Sequence, residues 1–197
     1  MKLYEVDRVV YNPRMESIAS LSAKDRILLT AHDLFYRYGI RASGIDRVIA
    51  ESRVTKVTFY RHFPSKNDLI RAFLEYRHQR WLGWFKNALE RHGQDAYALV
   101  PALAEWFRNE EFRGCAFINT VGELADDLPE VLDIARRHKE DLVVVISDLL
   151  PATTSRDDVS RALAVAIDGA IVRAQYDSTP EHALKALARI IAALVPK

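Results

Sequence analysis

Val54-Thr-Lys-Val-Thr-Phe-Tyr-Arg-His-Phe-Pro-Ser-Lys66 is short, basic and aromatic. Lys56, Arg61, His62 and Lys66 are its basic residues, and no acidic residue interrupts it. Pro64 forbids a helix from continuing and Ser65 offers a fresh cap, so the composition supports a helix of about two turns. Phe59 and Phe63 stand i to i+4 on one face and anchor it inward. Val57 points the opposite way, flanked by Thr58 and Tyr60. A small helix pinned by aromatics and showing a polar, cationic face suits contact with DNA.

Its surroundings fit that reading. Ser22-Ala-Lys-Asp25 has the serine-x-x-acid form of a capping box, and Ile27, Leu28, Ala31, Leu34, Phe35 and Tyr38 then follow helical spacing up to a C-capping Gly39. Ser43-Gly-Ile-Asp46 repeats the capping form before a short helix with Ile45, Val48 and Ile49 on its apolar side. Ser65-Lys-Asn-Asp68 repeats it once more. Three capped starts enclosing two short helices predict a helix-turn-helix inside a three-helix package.

The helix opening at Ser65 is expected to run to about Arg91, roughly 40 Å at 1.5 Å per residue, enough to link two domains. Arg77 and His78 interrupt its apolar stripe where it would leave the small domain. Further helices are predicted over Tyr97 to Arg108, Cys115 to Ala125, Pro129 to Leu150, Ser155 to Tyr176, and from Thr179-Pro180-Glu181 to Val195. The expected fold is all-α: an amino-terminal helix-turn-helix domain over residues 22–70, joined by the long helix to an all-helical body over residues 71–197, about nine helices in all. Residues 1–21 read as an N-terminal arm whose Lys2, Arg8 and Arg14 touch DNA, or as an over-extended start with Met15 as initiator.

Charge agrees with this division. The net charge of +1 over 197 residues conceals 12 Lys and Arg against 8 Asp and Glu in residues 1–70, and 16 against 19 in the remainder. A basic amino-terminal third on a mildly acidic body is what one DNA-facing end requires. The single cysteine, Cys115, excludes an internal disulfide and points to a reducing cytoplasm, where a buried thiol is expected to be inert. No apolar run reaches the roughly 18 residues of a membrane span. Phosphate loops, nucleophile motifs and zinc-ligand spacings are missing from the sequence, so no enzyme, cofactor or metal site is expected.

Ala31-x-x-Leu34-Phe35, Tyr38-Gly39 and Thr58-Phe-Tyr-Arg-His-Phe-Pro-Ser-Lys66 together make the chain resemble the TetR family of transcriptional repressors. In the body, Arg113-Gly-Cys-Ala-Phe117, Asn119 and Asp168-Gly-Ala170 resemble one branch of it. The resemblance implies that Thr58 and Tyr60 meet DNA backbone or bases, and that His62 and Lys66 meet phosphates. Lys66 opposes the macrodipole of the helix it begins, a conflict that a bound phosphate would resolve. Lys56 and Arg53 are expected at base edges or phosphates, Thr55 and Arg61 complete the DNA-facing set, and Ser43 is expected to cap the second helix and share a phosphate. For Arg53 and Arg61 the alternative is a solvated surface charge. Two residues depart from the family pattern: Arg53 stands where glycine is usual, at a turn position that tolerates positive φ, and Val57 stands where a small residue is common. A branched side chain at Val57 fits a thymine methyl.

The resemblance further implies a homodimer on near-palindromic double-stranded operator DNA, and a small-molecule effector of unknown identity. Ala162, Ala166, Gly169, Ala170 and Ala174 would let a partner helix approach closely, and Leu184, Leu187 and Ile191 offer an apolar stripe; packing within the protomer is the alternative. The expected effector pocket draws its walls from Trp81, Trp84, Phe85, Trp106, Phe107 and Phe117. Its polar anchors would be Asn119, Glu123, His138, Asp141 and Gln175. The competing reading is a helical dimer that has lost DNA binding and acts through protein partners.

Overall fold

The computed structural model describes residues 21–195; the expected N-terminal arm lies outside them apart from Leu21. Among the described residues there are nine α-helices, one short 3-10 turn and no strand. In chain order they are α1 (Ala23–Tyr38), α2 (Ile45–Ser52), α3 (Lys56–His62), α4 (Lys66–Arg91), the 3-10 turn Ala96–Ala98, α5 (Leu99–Phe107), α6 (Ala116–Leu124), α7 (Glu130–Ser147), α8 (Arg156–Tyr176) and α9 (Glu181–Leu194). The valine-rich end of α7, a pattern that strands share, is helical.

Counting Ser155-Arg-Asp-Asp158 before α8 with the three at the head, two of the four serine-x-x-acid capping boxes form as spelled. Ser22 accepts from the Asp25 amide at 3.2 Å, and Ser65 accepts from the Asp68 amide at 3.1 Å. The other two do not. Ser43 is fully buried, with its hydroxyl 2.8 Å from the Gly39 carbonyl and 3.2 Å from that of Leu34, so Gly44 takes the cap position of α2. Ser155 precedes α8 without a side-chain capping bond, and Pro180 rather than Thr179 holds the cap position of α9.

The chain divides into two compact units. One takes residues up to Trp81 together with Ala116–Ile134, and the other takes Leu82–Cys115 with Ala135 onward. The boundary expected at residue 70 therefore falls inside the first unit, which keeps α6 with the head because Glu123 of α6 bonds the Ile40–Arg41 backbone.

The first unit is built on Ile27, Ala31, Leu34 and Phe35 of α1 against Val48, Phe59 and Phe73. The Phe35 and Phe73 rings meet edge to face at 5.5 Å. Arg77, expected as a break in the stripe, is instead almost fully buried: its guanidinium lies 4.1 Å from the Tyr36 ring centre, and Nη1 is 3.3 Å from His32 Nε2. A guanidinium has no lone pair to give, so His32 Nε2 accepts and its proton sits on Nδ1, directed at Asp33 3.0 Å away. Burial, with Arg77 adding to it, lowers the His32 pKa, against the pull of the Asp33 hydrogen bond.

In the second unit Trp84, Trp106, Phe107 and Phe112 close into one aromatic cluster, Trp84 to Trp106 at 6.4 Å and Trp106 to Phe112 at 5.1 Å. Beside it α8 and α9 pack together through Leu163, Ile167, Ile171, Leu184, Leu187 and Ile191, all buried. The C-terminal stripe offered as a dimer surface is thus spent inside the protomer, as is Ala170. Ala162 and Gly169 stay exposed, Ala166 and Ala174 half-buried, and Val165, Val172 and Tyr176 extend the same outer face of α8.

Candidate nucleic-acid interface

The interface is set by how the chain leaves α2 and enters α3. Ser52, buried, directs its hydroxyl to the Ile49 carbonyl, and its own carbonyl accepts from Arg26 Nε at 3.2 Å, which fixes the end of α2 to α1. Arg53 then adopts a left-handed conformation, φ 54° and ψ 45°, with its amide directed to the Ala50 and Ile49 carbonyls. The turn keeps the geometry that glycine usually serves, and this chain builds it with arginine. Thr55 caps α3, accepting from the Thr58 amide at 3.1 Å, and the two threonine hydroxyls lie 2.9 Å apart.

Inside, Phe59 and Phe63 are buried with ring centres 6.3 Å apart. Outside, Val57 is 79% exposed, and Arg53, Thr55, Lys56 and Arg61 are exposed around it. Tyr60 presents its edge while its ring rests against Phe59, and Thr58 and His62 are half-buried on the flanks. Nine of the ten residues expected at DNA therefore lie at or near the surface of one motif; Ser43, enclosed beneath the corner before α2, does not.

Lys66 is half-buried at the start of α4. Its ammonium donates to the Ile40 carbonyl at 2.6 Å, so the conflict with the α4 macrodipole is already met within the protein. Burial lowers its pKa, opposed by the Glu123 carboxylate and reinforced by Arg41. Two donor hydrogens of the ammonium are left over from this bond for a phosphate.

The expected effector residues are divided between the two units. Trp84, Trp106 and Phe107 fill each other's surroundings in the second unit, while Trp81 and Phe117 belong to the first, where Phe117 meets His78 edge to face at 6.5 Å. Glu123 is occupied by the Ile40 and Arg41 amides, and Gln175 donates to the Arg113 carbonyl at 3.1 Å. His138 is buried, and Asn119 and Asp141 are half-buried on different helices. Open cavities in the second unit include one of about 320 Å³ walled by Leu150, Arg156 and Leu194 and one of about 330 Å³ walled by Lys86, Gln94 and Asp148. Cys115 is buried 3.5 Å from Lys139 Nζ, which also pairs with Asp168 at 2.5 Å. Among the described residues no cluster of His, Cys, Asp or Glu is fit for a metal ion, and no helix is long and apolar enough to cross a membrane.

Arg41 escaped the sequence-based set. Its guanidinium donates to the Glu123 carbonyl at 2.7 Å and pairs with Asp127. No local pattern announces a partner more than 80 residues away in the chain.

Comparison with known proteins agrees with this geometry. The sequence model of the bacterial regulatory proteins of the tetR family matches residues 27–73, the α1 to α4 segment that carries the motif. An HTH-type transcriptional regulator of Lactococcus lactis subsp. lactis is 24% identical over 121 residues, covering 59% of this chain and 58% of the relative. The chain thus spans less than two thirds of that relative's length. The crystal structure of a TetR-family transcriptional regulator from Streptomyces coelicolor superposes with a TM-score of 0.79 at 29% identity, covering 94% of this chain and 96% of the other. The fold is also that of CifR, a TetR-family regulator solved as a cysteine mutant on 26-bp double-strand operator DNA: TM-score 0.72 at 19% identity, over 86% of this chain and 95% of CifR.

Proposed function

We propose that the chain is a DNA-binding transcriptional regulator of the TetR family, a ligand-responsive repressor acting as a homodimer on a near-palindromic operator in the cytoplasm; the match of residues 27–73 to the family model and the likeness to the Streptomyces coelicolor regulator support this reading. The observation that carries the DNA side is the outward face of α3. Lys56, Val57, Tyr60 and Arg61 are exposed on a helix locked by Phe59 and Phe63, with no acidic residue between Val54 and Lys66. CifR on its operator supports the same use of this fold. In this reading Val57 and Lys56 face bases, and Thr55, Thr58, Tyr60, His62 and Lys66 position the motif on phosphates. It is not an enzyme; its chemistry is recognition.

The effector response rests on family membership. A ligand in the body changes operator affinity only by its differential affinity for the two forms, with α4 as the element expected to tilt. Dimerisation is supported by the outer face of α8, where Val165, Val172 and Tyr176 stay exposed.

Selection of genomic or random fragments by the purified protein, followed by mobility shift, tests the reading. Enrichment of a near-palindrome is expected, with log Kd rising steeply with log salt, by about 0.9 per phosphate neutralised. Lys66→Met should flatten that slope by about one phosphate contact, whereas Lys56→Ala should relax base preference. Enrichment of no fragment at all would favour the partner-binding dimer.

A further inference from the structure

Glu123 occupies a site on the head that sequence reading does not assign to it. Its Oε2 accepts from the Ile40 amide and the Arg41 amide, both at 2.9 Å. Those two N–H groups converge because Gly39 turns the chain with φ 87° as α1 ends. Gly39 also leaves the room: a Cβ there would stand 3.0 Å from Glu123 Oε1. Arg41 returns the contact, its Nε donating to the Glu123 carbonyl at 2.7 Å. The Ile40 side chain is buried, so the corner is held from within as well.

One peptide unit joins this clamp to the DNA-facing set. The bond between Ile40 and Arg41 gives its N–H to the Glu123 carboxylate and its carbonyl to the Lys66 ammonium at 2.6 Å. An amide between an anion and a cation is polarised along its own dipole, so each of the two bonds strengthens the other. Loss of the carboxylate would weaken the carbonyl as an acceptor and loosen the lysine two links away.

We propose that Glu123 is a positioning residue for operator binding: from α6 its carboxylate sets the Gly39–Arg41 corner and, through the Ile40–Arg41 peptide, the placement of Lys66. The proposal rests on the DNA-binding reading and adds to it the point at which an element outside the helix-turn-helix acts on the motif. A shift of α6 relative to α1 would reach Lys66 through this peptide.

The test uses the full chain with Glu123→Gln, which keeps the size and one oxygen of the side chain while removing its charge. Operator Kd is expected to rise about tenfold, the effect of losing one charge-assisted hydrogen bond's worth of positioning. Lys66→Met should weaken binding strongly in the wild-type background and much less beside Glu123→Gln, a non-additivity that a general loss of stability does not produce. Without DNA, the Ile40 and Arg41 amides should exchange hydrogen faster in Glu123→Gln while the Phe59 and Phe63 amides keep their protection. Wild-type affinity in Glu123→Gln, full additivity with Lys66→Met, or unchanged exchange at Ile40 and Arg41 would each overturn the proposal. Failure of the wild-type control to select any operator is a different result and removes the DNA-binding reading itself.

Discussion

At Arg53 two small free energies compete, and their difference is measurable. Holding a non-glycine residue in the left-handed region costs about 1–2 kcal/mol, and φ here is 54°. Glycine would remove that strain but adds about 0.4–1 kcal/mol of unfolded-chain entropy. Arg53→Gly should therefore stabilise the protein by about 0.5–1 kcal/mol, read as a higher urea midpoint. A drop in operator affinity alongside the rise in stability would show the guanidinium at DNA, whereas unchanged affinity would make it a solvated charge. Val57, 79% exposed, packs against nothing that Val57→Gly would disturb beyond about 1 kcal/mol of helix propensity. That substitution should broaden the set of selected operators, and identical selection profiles for both proteins would refute a thymine-methyl contact. His32 gives a pH signature. Its folded pKa lies below the 6.5 of the unfolded chain because it is buried beside Arg77. The unfolded state then binds the extra proton, so this contribution to stability is full above about pH 6.5 and is lost as pH falls toward the folded value. His32→Asn should flatten that acid-side slope of unfolding free energy, whatever it does to stability at neutral pH.

Whole helices are legible in the sequence where short-range rules govern them, and individual partners are not. The end of α3 follows from Pro64, its inner face from Phe59 and Phe63, and the left-handed turn at Arg53 from the position of the motif. Ser43 shows the limit. A serine-x-x-acid pattern spells a cap, but Gly44 is equally able to begin α2, and the hydroxyl is turned inward by carbonyls left open at the end of α1. Ser43→Ala should cost about 1–2 kcal/mol of stability, the price of a buried hydrogen bond, with a modest indirect effect on operator affinity. A variant as stable as wild type would return Ser43 to an ordinary capping role. The sequence leaves the effector residues undecided for a related reason. Trp84, Trp106 and Phe107 lie on helical stripes that fit a pocket wall and a packed core equally, and periodicity does not say which. Glu123 and Arg41 were invisible as a pair because the contact joins chain segments that only the fold brings together.

For the whole molecule the proposed dimer can be tested at the outer face of α8. An isologous interface sets the same patch against itself, so one substitution in the chain places two new charges near the symmetry axis. Val165 is 72% exposed, and Val172 and Tyr176 continue its face toward the end of α8. Val165→Glu should leave the protomer's helical signal unchanged, because the side chain contributes little to its core. It should nevertheless shift the protein toward monomer in sedimentation velocity. Operator affinity should then fall by a factor on the order of 10² or more, since each head loses the effective concentration that its linked partner supplied. Binding to a single half-site should fall much less. A Val165→Glu protein that remains dimeric with full operator affinity would move the interface off this face, to the exposed Ile190 and Leu194 of α9 or to another surface. Because the apolar stripe of Leu184, Leu187 and Ile191 is consumed within the protomer, any part of such a surface drawn from α8 and α9 must use what those helices leave uncovered.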